Sequence, residues 1–141
     1  MEGKKIAKWS GIGLVALILV YVGYVIYFEA RLGYLQPRGS TSLVIATFDN
    51  GDRHERVLRL EQIGGNNYIA ANHCPRAWYS QALDNPNVEV QLPGEDSFEP
   101  YVAVPLDGEE LQRISEIYSF GFEFRFRTGF PPRRFLRLDP R

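Results

Sequence analysis

Several residue types and motifs on which common enzyme classes depend are scarce or missing in this sequence. Its 141 residues include two histidines, His54 and His73, and a single cysteine, Cys74. These numbers exclude a histidine-rich metal site, a cysteine-based zinc site and an internal disulfide, so we expect no resident metal. Neither a G-x-G-x-x-G fingerprint nor a P-loop is present, and no nucleophile-elbow sequence occurs. Residues 32–141 contain twelve arginines and no lysine, which excludes a lysine Schiff base there.

The sequence also has no marked excess of positive or negative charge. The formal net charge is −1, which gives no general attraction to nucleic acid, and we expect no nucleic-acid partner. Because 45% of the residues are hydrophobic, the chain has room for one domain and an accessory segment.

One long stretch near the start contains no charge at all. It runs for 20 residues from Trp9 to Phe28. As a helix it spans about 30 Å, the thickness of the hydrocarbon layer. A cleaved secretory signal has a shorter apolar region and is followed by a small-x-small cleavage site, which the sequence Glu29-Ala30-Arg31 does not provide. We therefore predict a retained transmembrane anchor within residues 1–31, with the membrane as its partner.

Basic residues flank this stretch on both sides. Lys4, Lys5 and Lys8 precede it, whereas Arg31 and Arg38 follow it. Lysine and arginine concentrate on the cytoplasmic side of membrane spans. The pattern favours a single-pass protein of the cell membrane with its N-terminus inside and its remaining domain outside the cytoplasm.

The rest of the chain is patterned mainly as β-structure. Residues 32–41 form a connector broken by glycine and proline, and residues 42–141 form the domain. Asn50-Gly51 is typical of a tight hairpin turn. A short helix is predicted over 76–83, and another after Asp107, with Glu110 completing a capping box. The strands are predicted at 42–48, 54–63, 67–72, 88–92, 98–104 and 135–138. About six strands and two short helices indicate a small, closed, mainly β (α+β) barrel.

The segment 119–130 is dense in aromatic residues. Phenylalanines alternate there with Glu123, Arg125 and Arg127. As a strand, the segment would place the phenylalanines at 120, 122, 124 and 126 on one face, and packing in the core is favoured over a substrate pocket or membrane contact. Six arginines from Arg125 to Arg141 form either a lipid-headgroup site or a solvated basic tail.

A motif in the middle of the chain resembles a known family. Trp78-Tyr79 is followed after five residues by Asn85-Pro86-x-Val88-x-Val90-Gln91. Seven positions in this fixed frame resemble the deazaflavin-dependent nitroreductase and quinone-reductase family of the split β-barrel flavin-binding superfamily. A looser similarity covers residues 42–116, and the first 35 residues lie outside it. The resemblance implies a split β-barrel.

The resemblance also implies a function. In such proteins the cofactor performs hydride transfer and the protein binds and orients it, so a missing catalytic triad does not exclude an enzyme. Together with the anchor, this implies a membrane-anchored oxidoreductase that uses deazaflavin or FMN to reduce a lipophilic, nitro-type or quinone-type acceptor. Many split barrels hold their cofactor at a dimer interface, which implies a homodimer.

Candidate site residues follow from the same resemblance. The family holds its cofactor phosphate with a basic loop between the first two strands; here Arg56 stands in place, Arg53 is a substitute, and Asp49 and Asp52 would oppose a phosphate. The candidate cofactor-binding residues are Arg53, Arg56, Asn72, His73, Trp78 and Tyr79. The candidate substrate contacts are Tyr118 and Phe120; no catalytic residue is identified.

Each of these residues also has a purely structural interpretation. Trp78 and Tyr79 would fill the core, and Arg56 would pair with Glu55 or Glu61 at the surface. The altered phosphate loop favours an alternative function, a non-enzymatic split barrel that binds at the membrane. A third alternative, a haem-binding split barrel, depends on His73.

Overall fold

The computed structural model describes residues 2–35, 39–71, 77–118 and 121–141. They form two compact units. The first, called here the helical unit, joins Met1–Leu35 to Gly121–Phe130. The second, the barrel unit, joins Gln36–Phe120 to Pro131–Arg141. The chain therefore leaves the barrel unit after residue 120 and returns to it at residue 131.

Helix α1, Glu2–Leu35, dominates the helical unit. Over residues 9–20 large apolar side chains are exposed on every side, for example Leu17 at 69% and Val20 at 71%. A helix that is apolar on every side is stable only when something apolar surrounds it. Among the described residues, Trp9–Leu32 is long and apolar enough to cross a membrane, a length and composition that a signal sequence would share.

The barrel unit is built on one sheet of seven strands. All pairs are antiparallel, in the order β2-β1-β5-β6-β7-β4-β3. The strands are β1 Ser42–Asp49, β2 Asp52–Arg59, β3 Glu61–Ile63, β4 Asn66–Ala71, β5 Asn87–Gln91, β6 Glu99–Pro105 and β7 Arg134–Pro140. The helices after α1 are α2 Ala77–Asp84, α3 Gly108–Ile117 and α4 Phe122–Arg127. The predicted α+β fold class is confirmed, with one strand and one short helix more than expected.

A single residue connects the two edge strands of the sheet. Strands β2 and β3 lie at opposite ends of the strand order, yet only Leu60 separates them along the chain. The two edges must therefore meet, and the sheet curls. Leu60 is buried at this seam, and its N–H donates to the Thr41 carbonyl at 2.8 Å. The break at Leu60 is also why the one return strand predicted over 54–63 is two strands.

The hairpin between β1 and β2 is the one predicted. Asp49 pairs with Asp52, which leaves a two-residue turn of Asn50 and Gly51. Both have positive φ, +50° and +90°, as the favoured hairpin turns require. The dipeptide therefore sets the register of β2, and with it the position of every candidate residue on that strand.

The two faces of the sheet bury two separate clusters. Successive residues of a strand point to opposite faces, so Ile69 and its neighbour Tyr68 belong to different clusters. The interior cluster holds Leu43, Ile45, Leu60, Ile69, Ala71, Trp78, Ala82, Val88, Val90, Tyr101, Ala103, Leu136 and Leu138. The outer cluster holds Tyr68, Ala70, Leu106, Ile114, Tyr118 and Phe135, on the side where α3 lies.

Two local predictions are wrong. The Asp107 side chain makes no capping hydrogen bond to α3, and the Glu110 carboxylate accepts hydrogen bonds from Tyr68 and Arg137, so no capping box forms. The aromatic segment does not form a core strand: residues 122–127 form α4, and Phe122 is 74% exposed. Six residues are too few for the alternation to decide between strand and helix.

Candidate functional site

A groove between β2 and the start of α2 brings together three of the predicted cofactor residues. Its volume is about 350 Å³. It is lined by Arg53, His54, Glu55, Arg56, Ala77, Trp78 and Gln81. The hairpin turn positions the arginines, and α2 begins at Ala77 and presents its first turn to the groove.

The two arginines lie on opposite faces of β2. Arg56 pairs with Ile45 and Arg53 with Phe48, and an odd separation along a strand reverses the face. Arg56 is half-buried and shares its face with the interior cluster, on the same side as Ile45. Of the two, Arg56 is therefore the one whose strand position directs it toward α2.

Arg53 is held by two carboxylates. Its Nε and Nη2 each donate to Glu89 Oε2 at 3.2 Å, and its Nη1 donates to Glu55. Its guanidinium carbon also lies 4.3 Å from the centre of the Phe98 ring. Partial desolvation lowers the pKa of Arg53, but the bonds to Glu55 and Glu89 more than offset it, so the pKa is raised. A phosphate would have to compete with both carboxylates for this side chain.

Trp78 is chiefly a core residue. It is 5% exposed and belongs to the interior cluster, where Tyr79 packs partly buried against the same residues. Their rings meet edge to face at 5.8 Å, and the Arg134 guanidinium lies 5.9 Å from the Tyr79 ring centre. Most of the Trp78 ring is covered by protein, so the groove exposes only a small part of it.

The structure adds a polar pair that sequence reasoning missed. The Thr47 side chain is fully buried, and its hydroxyl donates to Gln81 Oε1 at 2.7 Å. Thr47 shares a face with Ile45, and Gln81 lies three residues after Trp78, on the groove side of α2. The strand alternation in β1 and the helical spacing in α2 could have placed these two side chains on facing surfaces from the sequence alone. The bond ties α2 to β1 and fixes the wall that carries Trp78.

The other predicted residues lie elsewhere. Tyr118 belongs to the outer cluster, where its ring meets Phe135 edge to face at 5.3 Å, and burial raises the pKa of its phenol to about 12. Tyr118 does not line the groove. Asn72, His73 and Phe120 fall outside the described residues. Within the described part of the chain, no group of three or more His, Cys, Asp or Glu side chains could hold a metal ion.

A second charged cluster lies on the outer side of the sheet. Arg137 donates to both oxygens of Glu110, at 2.9 and 2.7 Å, and to Asp139 at 2.7 and 3.0 Å. Tyr68 adds a hydroxyl bond to Glu110 at 2.8 Å. The hydrogen bonds from Arg137 lower the pKa of both carboxyl groups. These bonds fasten α3 to β4 and β7, a structural role.

Comparison with known proteins establishes the fold. No family model and no curated protein matches the chain. An F420-H2 dependent reductase (FDR-A) matches 70% of this chain and 94% of its own at 21% identity, with a TM-score of 0.53. A putative pyridoxamine 5'-phosphate oxidase from Listeria innocua matches 71% and 83% at 16% identity, with a TM-score of 0.50.

A third solved structure has a different function in its name. The haem storage protein HutZ from Vibrio cholerae matches 72% of this chain and 82% of its own at 16% identity, with a TM-score of 0.53. At these identities the likeness shows the split-barrel fold alone. The named functions differ among the three proteins, so the fold does not decide between them.

Proposed function

We propose that this protein is a membrane-anchored oxidoreductase that uses a flavin or deazaflavin to reduce a lipophilic acceptor of nitro or quinone type. The observation that carries the proposal is the groove in which Arg56 and Trp78 meet. The motif that resembles the deazaflavin-dependent family contains Trp78, and Arg56 stands at that family's phosphate position. The split-barrel fold is shared with an F420-H2 dependent reductase, which supports the same cofactor class.

The residues present fit such a cofactor in part. A nucleotide-type cofactor needs a cation for its phosphate and an apolar surface for its ring system. Arg56 would hold the phosphate, because a guanidinium can offer two parallel donors to it. Trp78 would border the ring, whereas Tyr79 packs against the interior cluster and does not line the groove; Asn72 and His73 remain further predicted contacts. Arg53 does not fit, since Glu55 and Glu89 already engage its donors.

When bound, the cofactor supplies the hydride transfer, and the protein's own residues orient it. The bond from Thr47 to Gln81 keeps α2, and with it Trp78, in a fixed place beside β2. Tyr118, a predicted substrate contact, belongs to the outer cluster and does not line the groove, so the groove geometry gives it no part in orienting the cofactor. Phe120 remains a second predicted contact.

The anchor accounts for the choice of acceptor. Trp9–Leu32 would hold the protein in the membrane in which quinones dissolve. Three lysines before the span favour an N-terminus inside the cell and the barrel unit outside it. A homodimer remains part of the proposal, as the arrangement that many split barrels use for their cofactor.

A non-enzymatic split barrel at the membrane is the second candidate function. The ion pairs of Arg53 with Glu55 and Glu89 favour it, because they occupy a side chain that a phosphate would need. The haem-binding alternative depends on His73, which lies outside the described residues. Absorption spectra of the purified protein separate the three candidates, by a flavin-like band, a Soret band or neither.

Ligand titration tests the groove itself. FMN and a deazaflavin are titrated into the wild type, Arg56→Ala and the matched control Arg59→Ala. Arg59 lies on the same strand, pairs with Glu61 at 2.6 Å and does not line the groove. Losing one charge-assisted hydrogen bond of roughly 1.5–3 kcal/mol weakens binding about ten- to a hundredfold.

We expect this loss in Arg56→Ala and unchanged binding in Arg59→Ala. If the wild type binds neither ligand at high micromolar concentration, the oxidoreductase proposal is wrong and the non-enzymatic barrel takes its place. If both variants bind like the wild type, the cofactor class stands and Arg56 is not its phosphate ligand.

A further inference from the structure

Helix α4 packs against three successive turns of α1. The Tyr21 hydroxyl donates to the Phe126 carbonyl at 2.8 Å, and the two rings lie 5.0 Å apart. Gly129 is so close to Val25 that a Cβ added there would lie 3.3 Å from its Cγ1. The Arg127 guanidinium lies 5.7 Å from the ring centre of Phe28. A segment far along the chain thus returns to one stripe of the apolar helix.

The backbone of α4 satisfies its own polar groups at its C-terminal end. The Phe130 N–H donates to the Arg125 carbonyl at 2.9 Å and the Gly129 N–H to the Phe126 carbonyl at 3.3 Å. These two hydrogen bonds, together with the positive φ of +76° at Gly129, form a Schellman motif at the C-terminus of α4. The Thr128 hydroxyl donates to the Phe124 carbonyl at 2.9 Å. Such pairing is what a helix end needs where water is scarce.

The outer surface of this segment is aromatic. The rings of Phe122, Phe126 and Phe130, called here the phenylalanine cluster, lie 5.7–6.4 Å apart. They are 74%, 44% and 44% exposed. A contiguous exposed aromatic surface marks a site of interaction with another molecule or a membrane. Arg125 lies beside it, with its guanidinium 5.5 Å from the Phe130 ring centre.

The position of α4 along α1 indicates which partner covers the phenylalanine cluster. The uncharged run of α1 ends at Phe28, and the contact at Tyr21 lies seven residues deeper, which is about 10 Å along a helix. Interfacial helices lie about 5–10 Å into the boundary between headgroups and acyl chains. The deepest contact involves Phe126, and the shallowest involves Arg127. Of these two residues, the apolar one therefore lies deeper than the charged one, as a membrane interface requires.

We propose that α4 is an interfacial helix that binds the same bilayer in which α1 is anchored. The phenylalanine cluster enters the acyl region, and Arg125 and Arg127, the second of which is paired with Glu123, lie at the level of the headgroups. The inference rests on the proposed membrane anchoring. Since α4 connects on both sides to the barrel unit, the membrane then holds the chain at a second point besides α1.

Spin labels on the full-length protein test this placement. In a Cys74→Ser background, single cysteines are introduced by Phe122→Cys and Phe130→Cys and labelled in vesicles of phosphatidylcholine and phosphatidylglycerol. Leu17→Cys reports the middle of α1, and the exposed Glu109→Cys on α3 reports the barrel unit. Collisions with oxygen, which concentrates in lipid, are compared with collisions with a water-soluble nickel complex. Circular dichroism confirms that each labelled protein is folded.

We expect labels at positions 122, 130 and 17 to favour oxygen and the label at position 109 to favour nickel, so that the ratio inverts between the two groups. If position 17 favours oxygen while 122 and 130 favour nickel, the anchor stands and the inference about α4 is wrong. If 122 and 130 are shielded from both reagents, protein covers the cluster, as in a dimer, and the inference is equally wrong. If position 17 also favours nickel, the membrane anchoring itself fails.

Discussion

Two groups of aromatic side chains in this protein have opposite surroundings. Trp78 and Tyr79 pack into the interior cluster of the barrel unit, whereas the phenylalanine cluster of the helical unit points outward. The difference shows that the surrounding medium decides whether aromatic side chains face inward or outward. In the barrel unit, which water surrounds, they pack inside; in the helical unit, which under our proposal lies in lipid, they face outward.

Trp78→Ala should have the largest effect and would sharpen this comparison. It removes a ring that is only 5% exposed, and such core truncations cost about 3–5 kcal/mol. We expect the free energy of unfolding of the barrel unit to fall by about that amount, measured by denaturant titration in detergent. Phe122→Ala is the matched control: at 74% exposure it should change the same quantity by less than about 0.5 kcal/mol. Similar losses in both variants would contradict the assignment of Trp78 to the core.

Glu110→Gln should have an intermediate effect that depends on pH. The hydrogen bonds from Arg137 and Tyr68 hold the pKa of Glu110 below its ordinary value of 4.5. A carboxyl group with a lowered pKa stabilises the fold above its unfolded-state pKa, and this contribution is lost as the pH falls through the folded-state value. We expect Glu110→Gln to be less stable than the wild type near neutral pH by about 1–2 kcal/mol.

The difference should shrink as the pH falls below 4.5, because the Glu110 carboxyl group then takes up a proton in the unfolded state before it does so in the folded state. Thermal unfolding of both proteins between pH 3 and pH 7 measures it. Glu109→Gln, on the exposed side of the same helix, is the control and should show no such trend. A gap between Glu110→Gln and wild type that stays constant over this range would show that the charge of Glu110 contributes nothing.

Gly129→Ala should have the smallest effect on overall stability. Its effect should be confined to the contact between α4 and α1 in the helical unit. Alanine is strained at φ +76°, by about 1 kcal/mol, and its Cβ would press against Val25. We expect α4 to separate from α1, so that a disulfide engineered between the two helices forms more slowly than in the wild type. Gly121→Ala is the control, because φ at Gly121 is −60° and no atom lies within 4 Å of an added Cβ. Equal cross-linking in both variants would mean that α4 does not need the close approach.

The sequence was sufficient wherever short-range rules dominate. Asn50-Gly51 specified its hairpin, and the proline after Asn85 marked the end of α2 and the start of β5. Arg56 and Trp78 lie in one groove because the hairpin register and the start of α2 both follow from local sequence. The α+β class followed from the same local patterns.

Long-range partners account for what was missed. Arg53 resembled a phosphate ligand until the sheet placed Glu89, 36 residues away, beside it. Glu110 resembled a capping residue, but Arg137 from β7 takes its carboxylate. The aromatic segment became a helix against α1 through Tyr21, which is 105 residues distant. Neither propensity nor periodicity within a window contains such partners.

The order of the strands constrains the order in which the protein is assembled during synthesis. Strand β7, the last along the chain, lies between β6 and β4, so it joins the group β2-β1-β5-β6 to the group β4-β3. Without Arg134–Pro140, no described strand pairing joins these two groups, and the chain connects them at Leu60 and again between β4 and β5. The sheet can therefore be completed only after β7 has been synthesised.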